Sequence, residues 1–375
     1  MTAAIRYFFY TALFLSLHPV FSQYTEFINS NRPGESFGAY SVGKNVLQFE
    51  VGNRVEFMKH ESYNDSKVVA YGIDFVVRYG FWREEFEVIW EADFQIDQLT
   101  NRVSFPTRQD MRSGFVKNTI GAKYLLFDPY KQEPKEREPD LRSWKANNKF
   151  RWSDLLPAVS VYAGFNLAVS RDTYPYNDFF SDITILGINS DLKEPILSPK
   201  IAVGAQSHFL PTWVAVANIS YNRIGTEFPE LGFVLTATKN LNPRWSVYSE
   251  IQGVSSDVYA DMLIRAGGAY MLNKNLHAEA SIGGNLKSTP SRTFVNFGAS
   301  YRLDYHEDEK ADFAKYKKRL ERKKAKDKKK AKDKTRRDRK KELKKKRKDK
   351  KKAKKEEDSE ENEENDDDEQ DEENK

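Results

Sequence analysis

Acidic side chains fall on alternating positions of one segment in the first third of the chain. Glu85, Glu87, Glu91, Asp93 and Asp97 are separated there by mostly apolar residues. Carboxylates spaced in this way lie on one face of an extended strand, because successive side chains of a strand point to opposite faces. Such a face can bind cations from neighbouring strands, or it can line a water-filled path that favours cations or polar solutes.

The same alternation in other segments supplies the cations that would face these carboxylates. The full set of predicted lumen-lining residues is Glu50, Arg54, Asp74, Arg78, Glu85, Glu87, Glu91, Asp93, Asp97, Lys117, Lys123, Arg265 and Arg302. Two interpretations stay open: an ion network that fills a narrow interior, since unpaired buried charge is costly, or an open hydrated path.

The opposite face of the acidic segment is apolar. It carries Phe86, Val88, Trp90, Ala92, Phe94 and Ile96. About 9–11 tilted residues suffice for a strand to cross a bilayer, so this segment is long enough to do so. The pattern predicts a transmembrane β-strand with lipid on one side and a polar lumen on the other.

Segments with this alternation recur as far as residue 304. They predict an all-β fold, a transmembrane antiparallel up-and-down β-barrel of about 12 strands over residues 45–305. In the fourth segment, 114–127, the prediction places Val116 on the lipid side together with Ile120 and Tyr124. The predicted strands are 45–58, 67–80, 85–97, 114–127, 157–170, 199–210, 212–223, 230–240, 243–253, 257–271, 275–287 and 292–304.

The predicted connections alternate between tight and long. Outer-membrane barrels have short periplasmic turns and longer outward loops, so the tight connections predict the periplasmic end. With an even strand count both termini lie at that end. One connection departs from the rule: residues 128–156 are long, charged and rich in proline, and they are predicted to lie on the periplasmic side.

The N-terminus has the features of a secretory signal peptide. Arg6 precedes an apolar stretch, 8–21, which is too short for a spanning helix, and the predicted signal peptide covers residues 1–22. Residues 23–44 are then an N-terminal periplasmic segment. The chain has no cysteine, which excludes disulfides and thiol chemistry and suits export through an oxidising compartment.

The C-terminus is a tail of two oppositely charged blocks. Residues 315–355 contain 28 Lys and Arg against 6 Asp and Glu, and residues 356–373 contain 14 acidic residues and no basic one. Such a tail cannot fold by burial, so we predict a Lys-rich part, 306–355, and an acidic part, 356–375, that are disordered or partly helical, with a coiled coil as an alternative. It either tethers the barrel to peptidoglycan or an acidic periplasmic protein, or it is a solvated tail with no defined partner. Nucleic acid is not expected as a partner, because the leader and the barrel place the tail outside the cytoplasm.

Short motifs around the first strand resemble a known family. Asn29-Ser30-Asn31-Arg32-Pro33-Gly34, then Tyr40-Ser41-Val42-Gly43-Lys44, then Gln48-Phe49-Glu50, together with Leu156-Pro157-Ala158, are similar to outer-membrane barrels of the phenol-degradation MetA-pathway family. The resemblance covers about residues 29–304. It implies a transporter of small, aromatic compounds.

No constellation for catalysis is visible in the sequence. The chain has five His, and the adjacent Ser207 and His208 would face opposite sides of a strand. We therefore predict no enzyme activity, no catalytic or metal residues and no cofactor. The predicted function is passage of small solutes through a porin-like barrel in the outer membrane of a Gram-negative-type bacterium, with the tail in the periplasm. The alternative is a non-conducting structural or accessory subunit of an outer-membrane complex.

Overall fold

The structure, a computed structural model, describes residues 28, 30–32, 34–129, 155–180, 193–209, 212–306 and 339–340. The predicted signal peptide, most of the long connection 128–156 and nearly all of the charged tail lie outside these residues. The chain divides into two units, 1–306 and 307–375. Of the second unit, the structure describes residues 339–340, which are helical.

The first unit is a closed β-barrel of twelve strands, each hydrogen-bonded to its neighbours in the chain. Every pairing is antiparallel, and β1 closes the barrel against β12, where Val46 pairs with Asp304. The prediction of an all-β, twelve-stranded up-and-down barrel is confirmed. The strands are β1 (Val46–His60), β2 (Ser66–Gly80), β3 (Phe86–Asn101), β4 (Arg108–Phe127), β5 (Ala158–Leu167), β6 (Leu197–Phe209), β7 (Trp213–Asn222), β8 (Glu230–Asn240), β9 (Trp245–Ser255), β10 (Ala260–Asn273), β11 (Leu276–Asn285) and β12 (Ser291–Asp304).

The barrel has its apolar side chains outside and its polar side chains inside. Phe57, Trp90 and Phe297 are exposed on the outer surface, whereas Glu50, Glu87 and many other charged side chains are buried. A soluble protein has the reverse arrangement. Lipid tails around the barrel make this distribution favourable, because they cover the apolar face and leave the polar groups to pair in the interior.

A β-bulge in β4 changes the direction of one predicted side chain. Asp93 pairs with Lys117 and Phe94 with Phe115, so Val116 has no partner on β3. An extra residue in one strand shifts the alternation at that point. The prediction that Val116 faces lipid is wrong: it packs against the buried cluster that includes Met58, Leu99 and Tyr174.

The two ends of the barrel differ in their connections. At the turn end, β2–β3, β6–β7, β8–β9 and β10–β11 are joined by short turns, and β1 starts there and β12 ends there. Aromatic side chains gather on its outer rim: Tyr79 stacks on Phe81, and the rings of Trp245 and Tyr270 are 4.7 Å apart. At the loop end, the connection between β5 and β6 runs from residue 168 to residue 196.

Among the described residues, no helix is both long and apolar enough to cross a membrane.

Candidate functional site: the barrel interior

The described part of residues 28–44, the inner segment, lies inside the barrel. It enters at the turn end, where the Ile28 amide donates to the Lys274 carbonyl, 2.9 Å. It returns to the same end, where the Asn45 amide donates to the Gly80 carbonyl, 2.7 Å, and continues into β1. Residues between these points contact inward side chains of strands all around the barrel, so the inner segment occupies the lumen rather than preceding the barrel as a separate element.

Arg32 anchors the inner segment at mid-barrel. Its guanidinium forms an ion pair with Asp74 on β2 and donates from Nε to Glu279 Oε1 on β11, 2.6 Å. The side chain crosses Gly52 on β1, where a Cβ atom would collide with the guanidinium. Two carboxylates from opposite sides of the β1–β12 seam therefore hold one cation of the inner segment.

Backbone amides of the inner segment are bound by buried side chains of the C-terminal strands. Glu250 on β9 accepts from the Glu35 amide, 3.1 Å, and its charge is balanced by Arg265 on β10. Asn218 on β7 accepts from the Phe37 amide and donates to the Phe37 carbonyl, both at 2.9 Å. The segment has no sheet of its own, so these side chains satisfy backbone groups that would otherwise be buried unpaired.

A charged wall formed by Gln48, Glu50, Arg78, Glu87 and Lys123 holds the returning part of the inner segment. Arg78 donates to Glu87 at 2.9 Å, and Lys123 lies 2.7 Å from the same carboxylate. Glu87 also accepts from the Val42 amide, and Lys123 donates to the Tyr40 carbonyl, both at 2.8 Å. The side chains of Arg78, Glu87 and Lys123 have no exposed area. No hydrated path therefore touches these three groups.

The other predicted lumen residues also face inward. Asp74 pairs with Arg32 of the inner segment, and Arg265 lies 3.7 Å from the Glu35 carboxylate of the same segment. Glu91 pairs with Lys117 at 2.6 Å, and Arg54 pairs with Asp93 at 2.8 Å. Asp97 pairs with Arg112 near the loop end, at 2.9 Å. Glu85 is buried just before β3, where its carbonyl accepts from the Ser41 hydroxyl, and Arg302 is buried beside Asp304.

The described parts of the β5–β6 connection, residues 168–180 and 193–196, contact inward side chains at the loop end. Tyr174 donates to Asp97, 2.8 Å, and the Phe179 carbonyl accepts from Arg112, 2.9 Å. Further along the connection, Glu194 pairs with Arg223, which follows β7. Burial raises the pKa of Tyr174, and the neighbouring Asp97 carboxylate raises it further. The hydroxyl therefore remains a hydrogen-bond donor at neutral pH.

A loop-side cavity of about 280 Å³ lies between this connection and the inner segment. Glu35 and Phe37 face it from the inner segment, and Tyr174 and Phe179 face it from the connection. Its walls carry cations and carboxylates, among them Lys117, Lys200 and Glu91, together with aromatic rings.

A turn-side cavity of about 1000 Å³ lies on the other side of the inner segment. Alternate residues of the segment, Gly34, Ser36 and Gly38, face it. The strands opposite the charged wall contribute a neutral wall, formed by Gln206, His208, Val214, Val216, Thr236, Thr238, Tyr248, Ala269 and Met271.

The inner segment and the neutral wall are the parts of the interior that the sequence pattern did not reveal. The inward valines and alanines on β7 and β10 are apolar, like the residues on the lipid face of the same strands. The alternation of polar and apolar residues is therefore weak there and does not show which face is inward. The inner segment had a signal of another kind: Ser30, Arg32 and Gly34 belong to the stretch that carries the family resemblance. Their contacts in mid-barrel explain a specific motif ahead of the first strand.

Within the described ranges, no group of three or more His, Asp or Glu side chains is arranged to hold a metal ion.

The closed twelve-stranded barrel, its apolar outer surface and its polar, occupied interior define a transmembrane β-barrel of the outer-membrane type. The family model described as "Putative MetA-pathway of phenol degradation" matches residues 30–303. The chain belongs to this family, and the matched range includes most of the inner segment, strands β1 to β11 and β12 as far as residue 303. No curated protein matches the sequence.

The chain also has similarity to solved structures, of which three are described. One is an outer membrane channel from Pseudomonas putida F1, with 11% identity, a TM-score of 0.46 and coverage of 72% of this chain and 99% of that one. Another is the Pseudomonas putida toluene transporter TodX, with 9% identity, a TM-score of 0.38 and coverage of 76% and 99%. The translocator domain of the autotransporter NalP from Neisseria meningitidis has 6% identity, a TM-score of 0.39 and coverage of 68% and 88%. These are likenesses of barrel architecture.

Proposed function

We propose that the chain is an outer-membrane passage for small solutes, closed by the inner segment in the conformation described. The observation that carries this proposal is the pair of cavities on the two sides of the segment. A barrel whose interior served stability alone would be filled, because empty volume forfeits packing contacts. Here the larger of these two cavities adjoins a segment that is held by hydrogen bonds and ion pairs rather than by a sheet.

The family implies the class of solute. Its name refers to phenol degradation, and the neutral wall offers the apolar and hydroxyl-bearing surface that a small aromatic compound requires. The charged wall has no exposed area at Arg78 and Glu87, so the route runs along the neutral wall once the inner segment moves.

The test compares flux through the full chain and through Arg32→Ala in liposomes. Removing the anchor leaves Asp74 and Glu279 without Arg32, so the inner segment is held less firmly and flux of small solutes is expected to increase several-fold. Lys59→Ala is the matched control, since its ion pair with Asp65 is exposed at the loop end and such pairs contribute about 0–1 kcal/mol.

Heat-modifiable gel mobility establishes that each variant is folded. The proposal is contradicted if neither the natural chain nor folded Arg32→Ala passes any solute class. That result would favour the alternative, a non-conducting accessory subunit.

The tail is proposed to act separately, as a periplasmic electrostatic tether. The proposal is supported by the position of the two termini of the barrel: β1 begins and β12 ends at the turn end, and short turns are typical of the periplasmic end of outer-membrane barrels. The Lys-rich part of the tail would bind an anionic polymer such as peptidoglycan. Pulldown by peptidoglycan should then weaken as salt rises through about 0.15 M, where the Debye length is about 8 Å. Binding that is absent or independent of salt would exclude the tether.

A further inference from the structure

We propose that the ring of Phe37 in the inner segment occupies a binding site for a planar aromatic ring, and that an aromatic solute releases the segment by taking this place. The inference rests on the proposed passage of solutes, and it specifies where a solute binds and how its binding opens the lumen. It comes from the way in which the barrel wall is shaped around this one side chain of the segment.

The wall around Phe37 offers contacts that suit a ring. Phe37 packs against the buried cluster of Ile89, Tyr162 and Ala202. The centres of the Phe37 and Tyr162 rings are 6.3 Å apart, and the two rings are tilted by 43°. The Lys123 ammonium lies 5.9 Å from the centre of the Phe37 ring. Ring pairs attract at about 4.5–7 Å and a cation attracts a ring face within about 6 Å, so part of this attraction requires a π system.

The wall also leaves room for the ring. At Gly204 on β6, a Cβ atom would lie 2.5 Å from a carbon of the Phe37 ring, so a larger residue there would collide with the ring. Ala202, the neighbouring inward residue of β6, is small and buried. We call the recess formed by Ile89, Tyr162, Ala202 and Gly204 the ring site.

Two hydrogen bonds position Phe37 at the ring site. Asn218 on β7 pairs with Gly204 in register, and its side chain binds both the amide and the carbonyl of Phe37 at 2.9 Å. Phe37 is only half-buried and lines the loop-side cavity. A solute in this cavity therefore reaches the ring site as soon as the Phe37 ring moves away.

Binding of a solute at the ring site and binding of the Phe37 ring exclude each other. A ligand shifts an equilibrium toward the state that it binds more tightly. Because a solute at the ring site binds only when Phe37 has left, it increases the population of the released inner segment. Arg32, Glu250 and Glu87 still hold other parts of the segment, so the expected shift is several-fold rather than complete.

The test uses the full chain with Ser36→Cys in detergent micelles. Ser36 precedes Phe37 and is 7% exposed, and the chain has no cysteine of its own. The rate at which this thiol reacts with a water-soluble maleimide therefore measures release of the inner segment. Phenol should raise the rate about fivefold, which is the order expected for aromatic contacts of this kind. Cyclohexanol carries the same hydroxyl on a six-membered ring without a π system, so it should leave the rate nearly unchanged.

Variants in the Ser36→Cys chain assign the response to Phe37. Phe37→Ala removes the competing ring, so the thiol should react faster without phenol, and phenol should not raise the rate further. Phe179→Ala is the matched control, because Phe179 is a buried ring that faces the same cavity from the β5–β6 connection. Its response to phenol should be retained.

An unchanged rate with phenol, an equal rise with cyclohexanol, or a full response to phenol in folded Phe37→Ala would each overturn the proposal. The comparison of phenol with cyclohexanol uses the chain with Phe37 present, so it decides the question even if Phe37→Ala does not fold. The rate is measured without flux, so a failure of passage and a failure of this site are separate results.

Discussion

The charged wall and the neutral wall face each other across the turn end of the barrel, and they treat the inner segment differently. On the charged wall, the single carboxylate of Glu87 binds Arg78, Lys123 and the Val42 amide. The side chains of Glu87, Arg78 and Lys123 are fully buried. On the neutral wall, Val214, Val216 and Thr238 leave a cavity of about 1000 Å³ between the strands and the segment. One side of the interior therefore fixes the segment, and the other side keeps space free for it or for a solute.

The largest effect is expected from Glu87→Ala. It leaves the charges of Arg78 and Lys123 buried without their shared partner, and breaking a buried pair in this way costs about 3–5 kcal/mol. Chemical unfolding in micelles, followed by gel mobility and far-ultraviolet circular dichroism, measures this loss.

Asp110→Ala is the matched control, because Asp110 is a partly exposed carboxylate on β4 that pairs with the exposed Arg108, and among the described residues no ion pair joins it to the inner segment. Its cost should be about 1 kcal/mol. Similar losses for the two variants would show that the charged wall does not fix the inner segment as described.

The neutral wall should respond to added volume with a change in flux rather than in stability. Val216→Trp places a large ring in the turn-side cavity, so solute flux should fall several-fold. Because the cavity has room for the ring, the unfolding free energy should change by less than about 1.5 kcal/mol. Unchanged flux through the folded variant would mean that solutes do not pass along this wall.

A smaller effect is expected at the loop end, where Tyr174 of the β5–β6 connection is bonded to Asp97. Tyr174→Phe removes the hydrogen bond to Asp97 and should cost about 1–2 kcal/mol. The folded protein raises the pKa of Tyr174 above its unfolded value of about 10, so this contribution is complete below pH 10 and is lost as pH rises further.

Unfolding in micelles from neutral to strongly alkaline pH measures this difference. The natural chain should lose more stability than Tyr174→Phe in that range. A constant difference between the two proteins would contradict the assignment.

The sequence predicted the barrel well because its signal is strong on the N-terminal strands. Apolar residues alternate with charges along β1, β2 and β3, so both faces can be assigned from residue types alone. The same contrast identified Glu87, Arg78 and Lys123 as inward residues. Charges fill one side of the described interior and cavities occupy the other, so an open hydrated path stays a prediction.

What the sequence could not predict depends on contacts between distant parts of the chain. A bulge such as that at Val116 depends on the pairing of β3 with β4, which alternation within one strand does not report. The position of the inner segment depends on side chains as distant as Asn218 and Glu250. Residues 28–44 have no strand period, so nothing local indicated that they lie inside the barrel.

The central claim is that the inner segment lies in the lumen and closes it. A reversible disulfide cross-link between the segment and the barrel tests this claim most directly. The hydroxyls of Ser30 and Ser300 are 2.9 Å apart, and the chain has no cysteine of its own. Ser30→Cys combined with Ser300→Cys should therefore form a disulfide that fixes the segment to β12. Single-channel recording, with each single variant as control, should show conductance that is absent in the oxidised double variant and returns on reduction. Failure of the disulfide to form, or equal conductance before and after reduction, would contradict the account.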